Sequence, residues 1–580
     1  MKKSLIAYMA CFAAMLLLGM TVKNPLTVVI FGICFWLLGY AFFPVKRSVR
    51  IALLLADAAV SATIAIATYK EASKGFSSGL FKALTLVILY VGIACLLHIL
   101  FGVIYGLCLN RHFARNDERK AKEKAFYFSL PENLSEKAVF FGGSVIIFIC
   151  WLPYFLYEYP GIMTADSIVQ YEQIIGASAY SNHHPAVHTL CISLFYHIGK
   201  IFTSDPNSAI SFYTIAQMIF MALCCGRVVS VLHRIGKGAL AALVFYAMVP
   251  FNAVFAVTIW KDVPFAGIVM LFCCLVYSVI SEEKVRLPYV RFVILGTLLC
   301  LFRTNGFIAF ILFIPFALLF MERARRELLC CGILVIGIVM LIKGPVMSGF
   351  NIVQADFTES LSVPLQQVAR VLVNDRALTE KETEEINAVI DTTYIHELYA
   401  PDFADNMKEL VRAGHPDVIE NNKGEYLGLW FSLFIKYPGD YISAWYDLVG
   451  GYIYPDVSLR VGDIDGIMSN DYGLVFTPRI GGKIIVKGKE ILIKLGSFLP
   501  LYGMLWSIGA YTWGAVFIVL LLLIKKKREQ VLVVIMPLAI VVTLLIAAPV
   551  LDFRYGYALV MTMPLIVSSC FGIGDGSPAK

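Results

Sequence analysis

The stretch that decides the fold is Val263–Ile280, VPFAGIVMLFCCLVYSVI, which contains eighteen residues without one charged side chain. An α-helix needs about 20 mainly apolar residues, in a range of about 17 to 25, to cross the hydrocarbon core of a bilayer. Runs of this kind recur along the 580-residue chain, which is 59% apolar and only 15% charged, with a mean hydropathy of +0.76. This composition excludes a soluble protein and predicts an all-α polytopic membrane protein.

Lysine and arginine cluster in short loops between the apolar runs, such as Lys46–Arg50 and Lys525–Arg528. Because such loops stay in the cytoplasm, they orient the helices, and the net charge of +7 does not indicate nucleic-acid binding. Ala186–Phe202 is also apolar, but two histidines and Lys200 interrupt it, so we expect an amphipathic helix on the outer face. The pattern predicts about fourteen spans with both termini cytoplasmic, near residues 4–20, 25–43, 50–69, 82–108, 138–156, 209–226, 239–258, 263–280, 290–302, 306–321, 328–347, 507–524, 530–548 and 556–573.

The polar stretch 349–488 is the one large interruption of the apolar pattern. It holds 21 of the chain's 41 acidic residues against 11 lysines and arginines, which is the balance expected of an extracytoplasmic region. We expect it to be mostly helical and to cap the membrane portion. The predicted organisation is a four-helix membrane segment at 1–108, a basic cytoplasmic linker at 109–137, a membrane core at 138–348 with an outer loop at 157–208, the outer region at 349–488, and C-terminal membrane helices at 489–580.

Four cations lie where the charge pattern of membrane proteins disfavours them, at the predicted outer ends of spans. They are Lys261, Arg303, Lys343 and Arg554, and Asp166 lies in an outer loop on the same side. Cations at outer ends run against the positive-inside tendency, so we expect each to have a partner such as a phosphate or a carboxylate. The sequence therefore predicts an anion-binding site at the outer membrane surface.

Five ordered segments carry a resemblance to a known superfamily. They are Tyr159–Ser167 (YPGIMTADS), Ser181–Pro185 (SNHHP), Thr258–Asp262 (TIWKD), Leu301–Gly306 (LFRTNG) and Asp552–Tyr555 (DFRY). Their order resembles that of the GT-C glycosyltransferases, membrane enzymes that take a sugar from a polyprenyl-phosphate carrier outside the cytoplasm. The resemblance covers about residues 138–573 and looks closest to a poorly characterised Gram-positive branch, including the element Tyr437–Tyr441 (YPGDY).

The resemblance implies an inverting transfer, in one displacement, to an extracytoplasmic acceptor such as a cell-envelope glycan, a lipid or a protein. Asp166, in the outer loop, would be the catalytic general base, because a carboxylate can take the proton of an acceptor hydroxyl. The carrier phosphate gains negative charge as the sugar leaves, and its ligands would be Lys261, Arg303, Lys343 and Arg554. The further substrate-binding residues would be Glu172, His183, His184, Asp262 and Tyr555.

The chain departs from better-known relatives at Ser167, because several of them carry Glu directly after the catalytic Asp. This departure puts a metal-dependent site in doubt, although Glu172 could replace the missing carboxylate. His184 and His188, four residues apart, could bind a metal on one helical face. No clear acidic third ligand accompanies them, so no cofactor is assigned with certainty and a divalent metal is left open.

Several candidates also have a structural interpretation. Asp166 could cap a surface helix, because Asp is a favoured N-cap residue. Lys261 and Lys343 could extend to lipid head groups. Asp552 could be the ion-pair partner that holds Arg554. Under these interpretations the residues stabilise the fold and bind no substrate.

A lipid-linked glycan flippase or other transporter is the rival function, and a non-catalytic envelope-assembly protein is the second rival. A transporter usually places its charges near the bilayer midplane and shows two related halves. Here the polar residues gather at the predicted outer surface, no halves repeat, and no phosphate-cradling motif or nucleophile motif appears. The sequence favours glycosyl transfer, with a polyprenyl-phosphate-linked sugar, an outer acceptor and membrane lipid as partners and no nucleic acid.

Overall fold

Helices account for the regular secondary structure in the part of the chain that is described. A helix satisfies its backbone N–H and C=O groups internally, which is why apolar segments that leave water adopt it. The described residues contain no strand, only isolated bridges such as Ile162 with Thr258. The predicted all-α class is therefore confirmed.

The computed structural model describes residues 2–17, 26–41, 47–72, 79–109, 130–131, 133–236, 238–281, 287–455, 459, 461, 465–498 and 503–570. Most of the predicted basic linker, 109–137, lies outside these residues.

The described residues of the N-terminal part form four helices. They are α1 (Lys2–Leu17), α2 (Leu26–Ala41), α3 (Arg47–Ala72) and α4 (Gly79–Leu109). An apolar cluster that includes Ala7, Cys34 and Ile99 holds α1, α2 and α4 together. Phe101 of α4 stacks on Phe517 with 4.6 Å between ring centroids, so these helices also pack against the C-terminal part of the chain.

Between residues 133 and 341, the described part of the chain forms ten α-helices. They are α5 (Glu136–Tyr157), α6 (Ala165–Ile175), α7 (Ala186–Phe202), α8 (Pro206–Ile235), α9 (Ala239–Met248), α10 (Pro250–Val257), α11 (Asp262–Ser281), α12 (Tyr289–Phe302), α13 (Thr304–Phe320) and α14 (Arg325–Leu341). Helix α7 has the bounds that the sequence predicts for the amphipathic helix. Its exposed apolar side chains include Leu190, Leu194 and Phe202, while His188 on its other face is buried.

Helix α8 shows how local chemistry sets the helix ends. The Asp205 carboxylate accepts a hydrogen bond from the Ser208 amide at 2.9 Å, and Pro206 occupies the first turn, where its missing N–H costs nothing. The helix ends at Gly236, which has φ +77°, the left-handed conformation that glycine adopts without strain. Its 30 residues rise about 45 Å, which is longer than the roughly 30 Å of a bilayer's hydrocarbon core.

Six described helices are long and apolar enough to cross a membrane. They are α3, α4, α5, α8, α11 and α14, the last with short helical turns at both ends that extend it over Glu322–Gly349. A bent pair, α9 and α10, raises the number to seven if it counts as one span, and several further apolar helices have 17 residues or fewer. These helices make the chain a membrane protein.

The predicted span at 239–258 consists of two helices and not of one straight helix. The chain bends by 59° between α9 and α10. Pro250 causes the break, because its ring clashes with a preceding helical residue and it donates no backbone hydrogen bond; Val249 accordingly has an extended ψ of 122°. The bend brings Val257 and the following turn beneath the segment that precedes α6.

Eleven further α-helices, either short or C-terminal, are present in the described residues after α14 and the turns that extend it to Gly349. Those of the polar region are α15 (Ser362–Val373), α16 (Glu380–Asn387), α17 (Ile395–Leu398), α18 (Asp405–Ala413), α19 (Pro416–Asn421), α20 (Lys423–Lys436) and α21 (Pro438–Val449). The last four are α22 (Lys483–Phe498), α23 (Ile508–Ile524), α24 (Val531–Ala547) and α25 (Phe553–Ser569).

The polar region packs on the connection between α24 and α25. The Ala404 amide donates to the Pro549 carbonyl at 2.8 Å, and the Tyr452 hydroxyl donates to the Val550 carbonyl at 2.9 Å. The Asp552 amide in turn donates to the Tyr452 oxygen at 3.1 Å. These bonds fix the short loop that ends at Asp552, directly before the first turn of α25, which carries Arg554.

Candidate functional site

Asp166 lies in the first turn of α6, and its carboxylate contacts two cations. Its Oδ2 atom is 3.2 Å from Arg554 Nη1 and 3.5 Å from Lys261 Nζ, and its side chain is 26% exposed. The N-cap residue of α6 is Thr164, not Asp166. The helix-cap interpretation of Asp166 is therefore wrong, and its charge is directed to Lys261 and Arg554.

The segment that leads into α6 is held on both sides by backbone hydrogen bonds. One side is the turn after α10, and the other is the chain near Gly466. The backbone bonds run from Ile162 N to Val257 O (2.9 Å), from Ile259 N to Ile162 O (3.0 Å), from Met163 N to Gly466 O (3.1 Å) and from Met468 N to Met163 O (2.9 Å). The Ser167 hydroxyl, in the first turn of α6, also donates to the Ile259 carbonyl at 2.6 Å. The segment of Asp166 is thus held by two segments that are far from it in sequence, the turn after α10 and the chain near Gly466.

Gly161 is required where this segment crosses α8. Its φ is +140°, and a Cβ atom there would lie 2.5 Å from Thr214 Oγ1, which donates to the Pro160 carbonyl at 2.8 Å. Both the backbone conformation and the close approach exclude a larger residue.

We expect Gly161→Ala to lower the free energy of unfolding by about 1 to 3 kcal/mol, because it adds backbone strain and overpacks the contact with Thr214. Thermal unfolding of the purified protein in detergent measures this effect. Gly142→Ala is the matched control, because nothing lies within 4 Å of the Cβ atom it adds. Equal midpoints for the two variants would contradict the assigned role of Gly161.

Lys261 lies in the turn between α10 and α11 and contacts His184 as well as Asp166. Its Nζ is 2.9 Å from His184 Nδ1, and its side chain is 16% exposed. Burial lowers the pKa of Lys261 to about 8 even though the charge of Asp166 opposes the change. Burial and the charge of Lys261 lower the pKa of His184 to about 3, so at neutral pH a neutral imidazole accepts the hydrogen bond from Lys261.

Arg554 occupies the centre of the cluster. Besides Asp166, its guanidinium contacts Asp552, with 3.1 Å between Nε and Oδ2, and donates from Nη2 to the Tyr555 hydroxyl at 3.2 Å. It also lies 4.7 Å above the ring centroid of Trp260. Asp552 accepts from the Arg554 amide at 2.9 Å as the N-cap of α25. Asp552 is therefore the structural partner of Arg554, as the sequence interpretation allowed.

Arg303 and Asp262 form a more buried ion pair beside this centre. Asp262 is only 2% exposed and Arg303 13%, and Arg303 Nε also donates to Asn305 Oδ1 at 3.0 Å. The Arg303 guanidinium lies 4.8 Å from the ring centroid of Tyr555, which stands between Arg303 and Arg554. Asp262, predicted to bind substrate, instead neutralises Arg303, because a carboxylate this buried needs a paired charge.

The Asp166 cluster is defined here as Asp166, His184, Lys261, Asp262, Arg303, Asp552, Arg554 and Tyr555. Its three cations face three carboxylates, so their formal charges cancel. The three cationic side chains are between 13% and 16% exposed. An anion that reaches the cluster would therefore compete with the carboxylates for cations already in position and partly shielded from water.

Three predicted site residues lie outside the cluster. The Lys343 ammonium is 5.6 Å from the ring centroid of Phe307 and contacts no member of the cluster in the described structure. Glu172 accepts a hydrogen bond from the Tyr472 hydroxyl at 2.9 Å, and it lies about 9 Å along α6 from Asp166. His183 packs edge-on against His184 and is 3.7 Å from Glu359, so it faces the polar region.

His188 makes no metal site with His184. Its Nδ1 is 3.0 Å from Gln170 Oε1 and its Nε2 is 2.7 Å from the Tyr213 hydroxyl, so both ring nitrogens are occupied inside a fully buried network. Among the described residues, no group of three or more His, Cys, Asp or Glu side chains could hold a metal ion. His188 therefore has a packing role.

Trp260 and the chain around Gly466 are the parts of the site that sequence reasoning missed. Trp260 lies under Arg554 and donates from Nε1 to Thr164 Oγ1 at 2.8 Å, so it links the cluster to the start of α6. Its position beside the predicted site residue Lys261 was a usable signal, because an indole ring near a group of cations is a favourable surface for an arginine to stack on. The approach of Gly466 has no comparable signal in the sequence.

A comparison with known families identifies one match. A model described as a family of unknown function (DUF6020) matches residues 175–571. The matched range contains every member of the cluster except Asp166, which lies nine residues before it. No curated protein and no solved structure matches the chain.

Proposed function

The chain belongs to the DUF6020 family, which has no known function, and we propose from the Asp166 cluster that it is a membrane glycosyltransferase of the GT-C type. It would transfer a sugar from a polyprenyl-phosphate carrier to an extracytoplasmic acceptor, with inversion. The observation that carries this proposal is a partly exposed carboxylate, Asp166, held between Lys261 and Arg554. Such a site offers a proton acceptor and an anion site within a few ångströms of each other.

The cations would bind the phosphate that the sugar leaves behind. Negative charge grows on this phosphate in the transition state, and preorganised donors in a partly dry site stabilise it strongly. Arg554 presents a planar guanidinium, and Lys261 adds an ammonium whose neutral neighbour His184 does not compete for the anion. Arg303 would stabilise the phosphate from a greater distance, across the ring of Tyr555, because its guanidinium already forms an ion pair with Asp262.

Asp166 would accept the proton of the acceptor hydroxyl. Burial alone would raise the pKa of Asp166, but Lys261 and Arg554 hold it well below its usual range, which weakens the carboxylate as a base. A bound phosphate relieves this effect, because it draws the same two cations toward itself. Carrier binding would therefore raise the basicity of Asp166 when the acceptor is present, and no covalent intermediate is needed.

The proposal includes the predicted topology, with about fourteen spans, both termini cytoplasmic and the cluster on the extracytoplasmic face. The shape of α7 supports it, because Leu190, Leu194, Ile201 and Phe202 expose an apolar face while the opposite face packs on the bundle. A helix of this kind lies in the membrane interface rather than across it.

We expect a cysteine at exposed Ser204, directly after α7, to react with an impermeant thiol reagent added outside intact cells. The test needs a background in which Cys150 and Cys330, exposed native cysteines, are replaced. A cysteine at Glu322, at the opposite end of the bundle, is the control and should react only after permeabilisation. The reverse labelling pattern would place the cluster on the cytoplasmic face and remove the proposed function.

The function itself is tested with purified full-length protein and polyprenyl phosphates that carry labelled sugars. The expected result is transfer of label to envelope acceptors together with release of free polyprenyl phosphate. Comparing envelope glycans of cells with and without the gene then identifies the acceptor. A carrier that binds and is never consumed, but crosses the bilayer of reconstituted vesicles, would identify a flippase and overturn the proposal.

A further inference from the structure

An apolar groove lies in the polar region, among the short helices. Its volume is about 410 Å³, within the range of roughly 300 to 1,000 Å³ that small-molecule sites occupy. Helices α15, α16, α18, α19 and α20 line it with side chains such as Leu365, Val368, Ile386, Val411, Ile419 and Leu429. Leu365 and Val368 are only half-buried, so the groove is open on one side.

The interior of the groove suits a hydrocarbon. Among the described residues that line it, Lys423, Tyr426 and Trp430 are the ones with a polar atom in the side chain. The Tyr426 hydroxyl donates to a backbone carbonyl at 2.8 Å, and Trp430 Nε1 donates to Gln367 Oε1 at 2.9 Å. Lys423 is exposed, with its ammonium 4.5 Å from the ring centroid of Phe357. A ligand inside the groove therefore meets apolar side chains, and its affinity comes from filling them rather than from polar contacts.

Helix α20 exposes an apolar face beside the groove. Leu427, which also lines the groove, is 64% exposed, Phe431 is 53% exposed and Ile435 is 65% exposed. Side chains four residues apart lie on one face of a helix, so these three form the outward face of α20. The ten residues 426–435 carry no charge, although the region 349–488 holds 21 acidic residues. A helix whose outward side meets water has polar residues there, so this face is not built for water.

Helix α21 ties α20 to the membrane helices. A single residue, Tyr437, separates α20 from α21. Trp445 of α21 donates from Nε1 to the Leu545 carbonyl, in the last turn of α24, at 2.7 Å. The helix from Pro438 to Trp445 rises about 10 Å, so α20 ends near the end of an apolar helix that is a predicted span.

The exposed apolar surface of α24 continues onto α21 and α20. Val542 and Ile546 of α24 are exposed, and so is Ile442 of α21, one turn before the contact with α24. The next helix is reached through Tyr441, whose ring lies 5.7 Å from that of Phe434 at the end of α20. The side of a span that faces outward lies in lipid, so the outward face of α20 continues a lipid-facing surface.

We propose that the groove takes up one hydrocarbon chain of a lipid from the leaflet on which the outward face of α20 lies. Leu427 belongs to both surfaces, so the chain enters the groove from the leaflet without passing through water. An apolar helix face of this kind sinks about 5 to 10 Å into the boundary between head groups and acyl chains. At that depth the mouth of the groove meets the ends of the chains nearest the head groups.

The bound chain lies next to a contact that the polar region makes with the Asp166 cluster. Phe357 and Leu361 line the groove and flank Glu359, whose carboxylate is 3.7 Å from His183 Nδ1. His183 in turn packs against His184, a member of the cluster. A filled groove therefore stabilises the part of the polar region that touches the cluster. The site does not depend on the proposed glycosyl transfer, because chain binding is measured without any sugar.

The test uses full-length protein in phosphatidylcholine vesicles that contain a small fraction of phosphatidylcholine with a photoactivatable diazirine in one acyl chain. This lipid has no net charge, so exposed cations do not attract it. After irradiation, we expect peptide mass spectrometry to find cross-links at Phe431 and Ile435 on the outward face of α20 and at Leu365 and Ile386 inside the groove. Cross-links on the outward face alone would overturn the groove site, and cross-links at neither place would overturn both.

Two variants, each with a matched control, make the result decisive. Val368→Trp fills the groove and should lower cross-linking at Leu365 by about tenfold or more, because the chain no longer fits. Leu427→Asp leaves the interior unchanged but places a charge at the mouth, and it should lower the same cross-link by about tenfold, because a charge facing lipid is costly. Tyr394→Trp and Tyr394→Asp make the same changes at an exposed position outside the groove and should have no effect. Thermal unfolding confirms that each variant is folded, and equal yields at Leu365 in the variants and their controls would overturn the proposal.

Discussion

Asp166→Asn is expected to abolish sugar transfer, by a factor of about 10² to 10⁴, while the carrier still binds. Asparagine keeps the size of the side chain but cannot accept the proton of the acceptor hydroxyl. The substitution also removes the negative partner of Lys261 and Arg554, so the carrier phosphate should bind as tightly as before or more tightly. Purified variant protein should be assayed separately for carrier binding and for label transfer.

Asp205→Asn is the matched control for this experiment. Asp205 caps α8 by accepting from the Ser208 amide, and asparagine caps a helix about as well as aspartate. We expect this variant to be folded and active. Transfer by Asp166→Asn within about tenfold of the parent would end the assignment of Asp166 as the base.

Arg554→Ala is expected to lower use of the lipid donor by about two to four powers of ten, the loss expected when a preorganised charge partner disappears from a transition state. Arg554→Lys should recover only part of this activity, because an ammonium cannot contact Asp166 and Asp552 as the guanidinium does. The dependence of the transfer rate on donor concentration measures both effects. Lys423→Ala removes an exposed cation of the polar region and serves as the control.

Arg303→Ala should behave differently, because it leaves Asp262 charged and buried. Removing one partner of a buried ion pair typically costs about 3 to 5 kcal/mol, so this variant should lose stability as well as transfer. The double variant Arg303→Ala with Asp262→Asn separates the two effects, since it restores charge balance. Normal turnover in folded Arg554→Ala and in the double variant would remove both arginines from the site.

The sequence predicted the helices better than the contacts of the cluster. The apolar run at 186–202 and the polar break at Arg303 are local signals, and the structure has helix bounds at both places. We predicted that Asp166, Lys261 and Arg554 lie at one end of the bundle because successive spans cross the membrane in opposite directions. The bend at Pro250 was missed because the apolar run around it is continuous, although proline gave a usable warning.

The pairing of individual charges could not be predicted. Arg303 pairs with Asp262, whereas Lys343 lies over the ring of Phe307. This difference depends on the directions in which the side chains point at two helix ends, and the sequence pattern does not give these directions. The contact between Met163 and Gly466 likewise depends on how a polar region some 300 residues later folds back. Sequence reasoning therefore predicted which end of the bundle these residues share but not the partners within the cluster.

The contact between Asp166 and Arg554 joins residues 388 positions apart, and this separation has a consequence during synthesis. At about 5 to 20 residues per second, a ribosome needs roughly 20 to 80 s to add Arg554 after Asp166. During that interval Asp166, joined 95 residues later by Lys261, is in the nascent chain without Arg554. A translation product that stops before α25 would insert most of its helices and yet lack a complete Asp166 cluster, so the order of the chain itself delays assembly of the cluster until insertion is nearly complete.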